Sequence, residues 1–205
     1  MFSYLDLRDF FKKQRIRVIM VADGETRIVE KKGNSIIEKI PAGGVSVALD
    51  PIAKASSAVY IARGRTEEER KLVGPRADIK DVDGNYILKR LFLNKDEINK
   101  YYYGFANQTL WPLCHVAFQS PAFHKNWYEG FKKVNQKFAQ SIKEEIKGKT
   151  FIWLNDYQLS LVPRYLDKPK NTIIAMFWHI PWPTWEIFRI LPCKKDILES
   201  LLNCD

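Results

Sequence analysis

Short apolar runs alternate with longer amphipathic stretches along this chain. Residues 16–22 are apolar at nearly every position, which is typical of a strand buried on both faces. The same pattern predicts further strands at residues 58–62, 85–93, 150–154 and 172–178. Each run is followed by turn residues, polar side chains or rings, so each is expected to end at an edge of a sheet.

Between these runs, apolar residues recur every three or four positions and predict helices. The longest helix starts at Ser120-Pro121 and continues to Gly148. Asn94 is expected to cap another helix, and the helix around residues 47–53 is expected to hold Pro51 in an early turn. The remaining predicted helices cover residues 3–14, 159–166, 185–189 and 194–202. Residues 26–31 and 35–40 alternate like a β-hairpin, and the charged stretch 63–75 predicts a mobile loop.

This order of elements predicts an α/β fold, a Rossmann-like parallel sheet with helices on both faces and an inserted β-hairpin. The chain has 205 residues, is 46% hydrophobic and contains no candidate linker, so a single domain over residues 1–205 is expected. No apolar run is long enough to span a bilayer, and acids stand near the start where a signal peptide would be basic. We therefore expect a cytoplasmic protein without a membrane partner.

The net charge and the cysteine content exclude few classes of function. The net charge is +9, and the excess lies before residue 151, because acidic and basic residues balance from there onward. A solvated basic surface, an attraction for phosphorylated substrates and a nucleic-acid partner all fit this charge. The last rests on net charge alone, and we expect no nucleic-acid partner. Cys114, Cys193 and Cys204 are far apart and are expected to be free thiols.

Two predicted strands end in residues that can carry chemistry. Asp156 follows the strand at residues 150–154, and His179 follows the strand at residues 172–178. Because the carboxyl ends of parallel strands meet at one edge of a doubly wound sheet, both side chains are candidates for a ligand-binding cleft. Two alternatives stay open: Asp156 fits a helix N-cap, and His179 fits a structural histidine with satisfied hydrogen bonds.

A glycine pair and an aromatic cluster are further candidates. Gly43 and Gly44 precede a predicted helix, where they would either expose backbone N–H groups to a phosphate or form a tight turn. Tyr101, Tyr102 and Tyr103 cannot all be buried on one helix face, so at least one hydroxyl should reach solvent or a ligand. Motifs for nucleotide cofactors, phosphate loops and nucleophile elbows are missing, and the histidine spacing does not indicate a metal site. We expect no cofactor.

Several motifs stand in a fixed order along the chain. They are Gly43-Gly44, Tyr101-Tyr-Tyr-Gly-Phe-Ala-Asn, Leu110-Trp-Pro-Leu-Cys-His, Trp127-Tyr through Val134-Asn, Asn155-Asp-Tyr-Gln-Leu, Trp178-His-Ile-Pro-Trp-Pro and Glu186-Ile-Phe-Arg. Together they resemble the trehalose-6-phosphate synthase family of retaining glycosyltransferases, over most of the chain from residue 16 onward. The resemblance implies a GT-B fold in which this chain is the N-terminal, acceptor-side domain. A C-terminal nucleotide-sugar domain would be supplied in cis or in trans.

The resemblance also implies a reaction and residue roles. Glucose would pass from UDP-glucose, a nucleotide sugar, to glucose 6-phosphate, a sugar phosphate, with retention of configuration. His179 would contact the donor glucose near the reacting centre, and Asp156 would bind acceptor hydroxyls. Tyr102 and Trp111 would line the acceptor pocket, and the glycine pair would approach the donor diphosphate.

The sequence departs from the family where the acceptor phosphate is held. An arginine usual after the first strand is missing, which makes Arg27 a shifted candidate, and Arg63 stands where the family commonly has a ring. Two alternatives to the family's own reaction therefore stay open. One is a related synthase with another sugar- or polyol-phosphate acceptor, such as glucosylglycerol-phosphate synthase, and the other is a non-catalytic sugar-phosphate-binding module. The isolated chain is expected to be inactive, and homo-oligomer formation is left open.

Overall fold

The computed structural model describes residues 4–33, 35–41, 44–65, 67–117, 119–167 and 169–205. The chain forms two compact units. The first contains the chain up to Phe92 together with Glu145–Trp153, and the second contains Leu93–Glu144 and Leu154–Asp205. The assignment of residues 1–205 to a single domain stays a prediction.

The described residues form a six-stranded sheet with the strand order β5-β6-β4-β1-β7-β8. Its strands are β1 (Arg17–Ala22), β4 (Val59–Gly64), β5 (Arg76–Asp81), β6 (Gly84–Phe92), β7 (Thr150–Asn155) and β8 (Thr172–Phe177). β1 pairs with β4 and β4 pairs with β6 in parallel, whereas β5 pairs with β6 antiparallel. A mostly parallel sheet with helices around it confirms the predicted α/β class, with an antiparallel edge strand added.

The first unit is built on strands whose side chains are buried on both faces, as the apolar runs predicted. Met20 and Tyr60, which are neighbours in the register of β1 and β4, are both fully buried. A separate antiparallel hairpin, β2 (Ile28–Lys32) and β3 (Ser35–Lys39), confirms the predicted insertion. The helices of this unit are α1 (Tyr4–Gln14), α2 (Gly44–Ser56) and α3 (Glu67–Val73).

Two expectations for the first unit were wrong. Pro51 lies near the middle of α2 and not in an early turn. A proline there leaves one backbone carbonyl without its helical donor, a cost that the buried face of the helix, with Leu49 and Ala53, offsets. The charged stretch predicted as a mobile loop forms α3, and the strand β5 follows it directly.

The second unit is largely helical. Its helices are α4 (Lys95–Ile98), a π-helix (Asn99–Leu110), α5 (Trp111–His115), α6 (Lys125–Lys143), a 3₁₀ helix (Tyr157–Leu159), α7 (Val162–Tyr165), α8 (Trp185–Phe188) and α9 (Lys194–Leu201). Asn94 caps α4 as predicted, because its side chain accepts the N–H of Glu97 while the Glu97 carboxylate accepts the N–H of Asn94. α6 begins at Lys125, a few residues later than predicted.

The π-helix and α6 form the aromatic core of the second unit. Tyr101 stacks on Phe131 with 5.6 Å between ring centroids, and Phe105 lies 4.5 Å from the same ring. Gly104 permits this close packing, because a Cβ atom there would come within 2.7 Å of the Trp127 ring. None of the described helices combines the length and the apolar character needed to cross a membrane.

Candidate functional site

Asp156 lies directly after β7 and joins the ends of two strands. Its Oδ1 accepts the N–H of Tyr157 at 2.9 Å and the N–H of His179 at 3.1 Å, and its own N–H donates to the carbonyl of Phe177 at 2.7 Å. Asp156 is therefore the N-cap of the 3₁₀ helix, which confirms the capping alternative. Its φ of +79° lies in a region that residues other than glycine rarely adopt. Such backbone strain is concentrated at functional sites.

His179 lies just beyond β8 and is exposed to solvent. Both interpretations of this residue, a ligand contact and a structural histidine with satisfied hydrogen bonds, stay predictions. Its Nε2 lies 3.3 Å from Oδ1 of Asn155, a side chain that is almost fully buried. The imidazole also packs against the ring of Phe177, with 4.6 Å between centroids. The ring is thus held in place by one polar and one apolar contact while it remains accessible to a ligand. The structure brings Asp156 and His179 together, as the strand ends predicted.

Asn135 of α6 fixes the segment that follows Asp156. This residue is fully buried, and its Oδ1 accepts the N–H of Leu161 at 3.1 Å. Its Nδ2 donates to the carbonyls of Gln158 and Phe131. A buried amide with donor and acceptor both used holds a loop more firmly than apolar packing alone. The strained turn at Asp156 is therefore anchored to the longest helix of the unit.

Tyr102, Asn107 and Trp111 form a stripe along the π-helix and the start of α5. Two turns of a π-helix take about nine residues, whereas two turns of an α-helix take about seven. Residues nine positions apart therefore share a face here, although in an α-helix they would point in opposite directions. Tyr102 is half-buried, and Trp111 is 43% exposed. The two rings predicted to line the acceptor pocket are thus presented on one side.

The π-helix stripe is linked to the strand ends through Asn107. Its Oδ1 accepts the hydroxyl of Tyr157 at 3.3 Å, and Tyr157 is the residue after Asp156. In α5, the pKa of the Cys114 thiol is raised to about 12, mainly by burial and to a lesser extent by the charge of Asp156. The second unit therefore places Tyr102, Trp111, Asp156 and His179 in one connected region.

Arg63 lies near the carboxyl end of β4 and is already paired with a carboxylate. Its Nε and NH2 donate to the two carboxylate oxygens of Asp23 at 2.9 and 2.7 Å. Asp23 follows β1, so this bidentate pair joins the carboxyl ends of two neighbouring strands. A substrate-binding role for Arg63 stays a prediction, and any phosphate bound there would have to compete with Asp23.

Arg27 lies in a buried cluster of opposite charges. Its NH2 lies 3.2 Å from Asp50 and 3.2 Å from Asp81, and Lys54 forms ion pairs with the same two carboxylates. Asp81 pairs in register with Gly84, where β6 begins, whereas a cleft is expected at the carboxyl ends of the parallel strands. The cluster gives Arg27 a structural role, and its predicted contact with a substrate stays a prediction.

Gly44 is the first residue of α2 and is exposed. A Cβ atom at this position would have no neighbour within 4 Å, so the backbone is open to an approaching group. α2 carries no acidic residue in its first turn, which would otherwise repel an anion. Gly43, the other member of the predicted donor-binding pair, lies outside the described residues.

The first unit also contains a buried triad that the sequence did not reveal. Arg90 lies between Glu25 and Glu69, with Nε 2.7 Å from Glu25 and 3.7 Å from Glu69, and all three residues are less than 5% exposed. Burial, with a contribution from the Glu69 carboxylate, raises the pKa of Glu25 to about 7. Two buried acids share one buried base, so the triad gains stability when one acid binds a proton.

Two residues of the region around Asp156 were not singled out from the sequence, Asn107 and Asn155. Neither belongs to a spacing pattern, since Asn107 reaches the site only because the helix around it is a π-helix. Both residues appeared only as parts of motifs, and the contact of Asn155 with His179 depends on the path of the chain between two strands. Within the described ranges, histidine, cysteine and acidic side chains form no group of three or more that could hold a metal.

The comparisons of sequence and of structure with known proteins point to the same family. The sequence model of Glycosyltransferase family 20 matches residues 16–205. The trehalose-6-phosphate synthase of Mycobacterium tuberculosis (strain CDC 1551 / Oshkosh) is 33% identical over 170 residues, which are 80% of this chain and 33% of that protein. The chain therefore spans about a third of the length of the curated relatives that it matches.

Solved structures match over nearly the whole chain. One from E. coli, described as trehalose-6-phosphate bound with UDP-2-fluoro glucose, is 27% identical with a TM-score of 0.70 and covers 92% of this chain and 38% of that one. Another, from work on glycosyltransfer with retention using bisubstrate glycomimetics of trehalose-6-phosphate synthase, is 26% identical with a TM-score of 0.70. It covers 92% of this chain and 38% of that one.

Proposed function

Because the chain belongs to glycosyltransferase family 20, we propose that it is the acceptor-side part of a retaining glycosyltransferase. The enzyme would transfer glucose from UDP-glucose to glucose 6-phosphate. The observation that carries the proposal is the junction of β7 and β8, where the Asp156 carboxylate accepts the backbone N–H of His179 and both side chains adjoin the end of the sheet. The nucleotide-sugar site would be completed by a second domain in cis or in trans.

The proposed roles follow from what each group offers. Oδ1 of Asp156 accepts two backbone N–H groups, and these hydrogen bonds orient the carboxylate that would bind sugar hydroxyls. The accessible ring of His179, held by Asn155, would hydrogen-bond the donor glucose. Tyr102 and Trp111 present rings on one face of the helix, and sugar faces pack against such rings. The N-terminus of α2 at Gly44 would face the donor diphosphate.

The reaction needs no covalent nucleophile from this chain. The acceptor hydroxyl would attack the anomeric carbon from the face that UDP leaves, and a phosphate oxygen of the departing UDP would take the hydroxyl proton. The C–O bond to UDP breaks and the new C–O bond forms on the same face of the sugar, so configuration is retained. The contribution of the protein is positioning and electrostatic stabilisation. On this account His179 donates or accepts a hydrogen bond in the transition state and does not act as a base.

The test is UDP release from UDP-glucose and glucose 6-phosphate, measured with this chain combined with the donor-side part of a family 20 relative. Asp156→Asn and His179→Gln should each lower turnover by about 100-fold or more, with unfolding free energies within about 1 kcal/mol of the parent. Asp167→Asn and His124→Gln are matched controls, because Asp167 also has a positive φ and neither residue adjoins the site. Equal losses in the controls, or full turnover in the Asp156 and His179 variants, would reject the proposal.

The ion pairs of Arg63 and Arg27 suggest a second candidate function. Arg63 is paired with Asp23, and Arg27 lies among Asp50 and Asp81, so the acceptor phosphate has no assigned cation in the described residues. A related synthase with another sugar- or polyol-phosphate acceptor, or a non-catalytic sugar-phosphate-binding module, fits this observation. UDP release with glycerol 3-phosphate but not with glucose 6-phosphate would favour the other synthase. Calorimetric binding of a hexose phosphate without UDP release would favour the non-catalytic module.

A further inference from the structure

The first unit contains a basic pocket that has no part in the proposed reaction. Its volume is about 500 Å³, and α1, the end of α2 and the turn between β5 and β6 form its walls. The cations that line it are Arg8, Lys12, Arg15 and Lys54, and Ser57 and Asp83 are among its other lining residues. This volume lies within the range of about 300–1,000 Å³ that is usual for small-molecule sites.

Three of these cations have no counter-ion among the described residues. Lys54 forms ion pairs with Asp50 and Asp81, but Arg8, Lys12 and Arg15 form none with any described carboxylate. Nε of Arg8 is shielded from solvent and has no hydrogen-bond acceptor in the described part of the chain. A buried guanidinium N–H without an acceptor is costly, so this donor is suited to an oxygen atom of a ligand.

Helix dipoles explain only part of this accumulation of positive charge. Lys12 lies in the last turn of α1, and Ser57 follows the end of α2, so two helix C-termini lie at the pocket. Each C-terminus carries roughly half a negative charge, which attracts cations. Three cations without a counter-ion among the described residues exceed what two such ends can balance. Of the described residues that line the pocket, only Asp83 is acidic besides the paired Asp81.

We propose that this pocket binds a small molecule through a phosphate group. Arg8 and Arg15 offer planar forks of donors that match phosphate oxygens, and Lys12 adds a point charge. The concave shape favours a small molecule over an extended polyanion. Arg8, Lys12 and Arg15 precede residue 16, where the match to glycosyltransferase family 20 begins, so the family does not account for them. The site would be additional to the proposed acceptor and donor sites.

The experiment is an NMR titration of the 205-residue chain with inorganic phosphate and, separately, with glucose 6-phosphate. The arginine Nε–Hε signals of Arg8 and Arg15 report the guanidinium groups, and the amide of Ser57 reports the pocket wall. Saturable shifts of these signals are expected with both probes. Glucose 6-phosphate should also shift the amides of Asp156 and His179, which separates the proposed acceptor site from this pocket.

Matched variants decide whether the pocket itself binds. Lys12→Gln and Arg15→Gln should each weaken phosphate binding at least about fivefold, because each removes one cation from the pocket. Lys13→Gln is the control, since Lys13 is an exposed lysine on the same helix that does not line the pocket. Lys12 and Arg15 are both exposed, so their replacement should leave the fold intact, and the amide spectrum of each variant checks this.

Three results would overturn the proposal. The first is that the pocket signals do not shift saturably with either probe. The second is that Lys13→Gln weakens binding as much as Lys12→Gln, which would indicate general attraction to a basic surface. The third is that phosphatidylserine vesicles or a single-stranded oligonucleotide shift the pocket signals and free phosphate does not, which would assign the cations to a macromolecular partner.

Discussion

At the scale of single residues, Glu25 is the group whose environment departs most clearly from that of an exposed carboxylate. It is fully buried beside Arg90 and a second acid, Glu69, and burial raises its pKa from an ordinary value of 4.5 to about 7. A raised pKa means that the folded chain holds this proton more tightly than the unfolded chain does. The resulting stability is present in full below about pH 4.5 and is lost as the pH rises through about 7.

Glu25→Gln should remove this pH dependence. The substitution leaves one buried acid and one buried base, and the amide oxygen can still accept from Arg90. At pH 5 the variant and the parent should unfold with similar free energies, whereas at pH 8 the variant should be more stable by on the order of 2 kcal/mol. Urea unfolding at both pH values measures the difference. A variant that loses stability between pH 5 and pH 8 as the parent does would show that another group titrates.

Asp156 offers a separate test of backbone strain. Asp156→Gly and Asp156→Ala both remove the hydrogen bonds to Tyr157 and His179, but only glycine adopts a φ of +79° without strain. We therefore expect the glycine variant to be more stable than the alanine variant by about 1–2 kcal/mol. Under the proposed function, neither variant should turn over. Equal unfolding free energies in urea for the two variants would show that the backbone is not strained there.

The site residues that the sequence could predict are those that directly follow the ends of predicted strands. Asp156 and His179 were expected to meet because parallel strands end at one edge, and the hydrogen bond between them fits that rule. The partners of His179 and Tyr157 could not be predicted, since Asn155 and Asn107 act through contacts distant in the chain. Nor does a sequence pattern reveal that Arg63 and Arg27 are paired with carboxylates, because Asp23 lies 40 positions from Arg63 and Asp50 lies 23 positions from Arg27.

At the scale of elements, the contact between the π-helix and α6 should be sensitive to one methyl group. In Gly104→Ala the new Cβ would lie 2.7 Å from the Trp127 ring, which would have to move. We expect a loss of about 1–3 kcal/mol in unfolding free energy, measured by urea denaturation. Gly44→Ala is the control, because no atom lies within 4 Å of its Cβ position, and its stability should be unchanged or slightly higher. A Gly104 variant as stable as the parent would show that the two helices pack less closely.

The elements that periodicity missed share a physical cause. In β5 only Ile79 is buried and the other positions are half-buried or exposed, as an edge strand allows, so its sequence resembles a loop. α3 consists mainly of charged residues, and such residues predict a solvated segment as readily as a surface helix. The π-helix continues directly from α4, which Asn94 caps, and it packs against α6. Strands β1, β4 and β7 could be predicted because their buried positions are restricted to mostly apolar residues.

At the scale of the whole molecule, charge and function are distributed unevenly along the chain. The net charge of +9 comes from residues before position 151, and the pocket cations Arg8, Lys12 and Arg15 lie in that part. The residues proposed to contact the acceptor sugar, Tyr102, Trp111 and Asp156, all belong to the second unit. The cations of the proposed phosphate pocket, by contrast, belong to the first unit, so binding at the two places can be followed through separate residues.

The last prediction concerns which of the two proposed substrates this chain binds by itself. The chain spans about a third of its curated relatives, and under the proposed function it holds the acceptor contacts. Calorimetry on the 205-residue chain should therefore detect binding of glucose 6-phosphate, and Trp111→Ala should weaken this affinity about tenfold through loss of ring packing.

UDP-glucose should bind at least about tenfold more weakly than glucose 6-phosphate, because a single helix terminus at Gly44 would face its diphosphate. Phe123→Ala is the control, since this ring is exposed to a similar degree but is not one of the proposed sugar contacts, and it should leave both affinities unchanged. Tight binding of UDP-glucose without glucose 6-phosphate would reverse the assignment and make this chain the donor side.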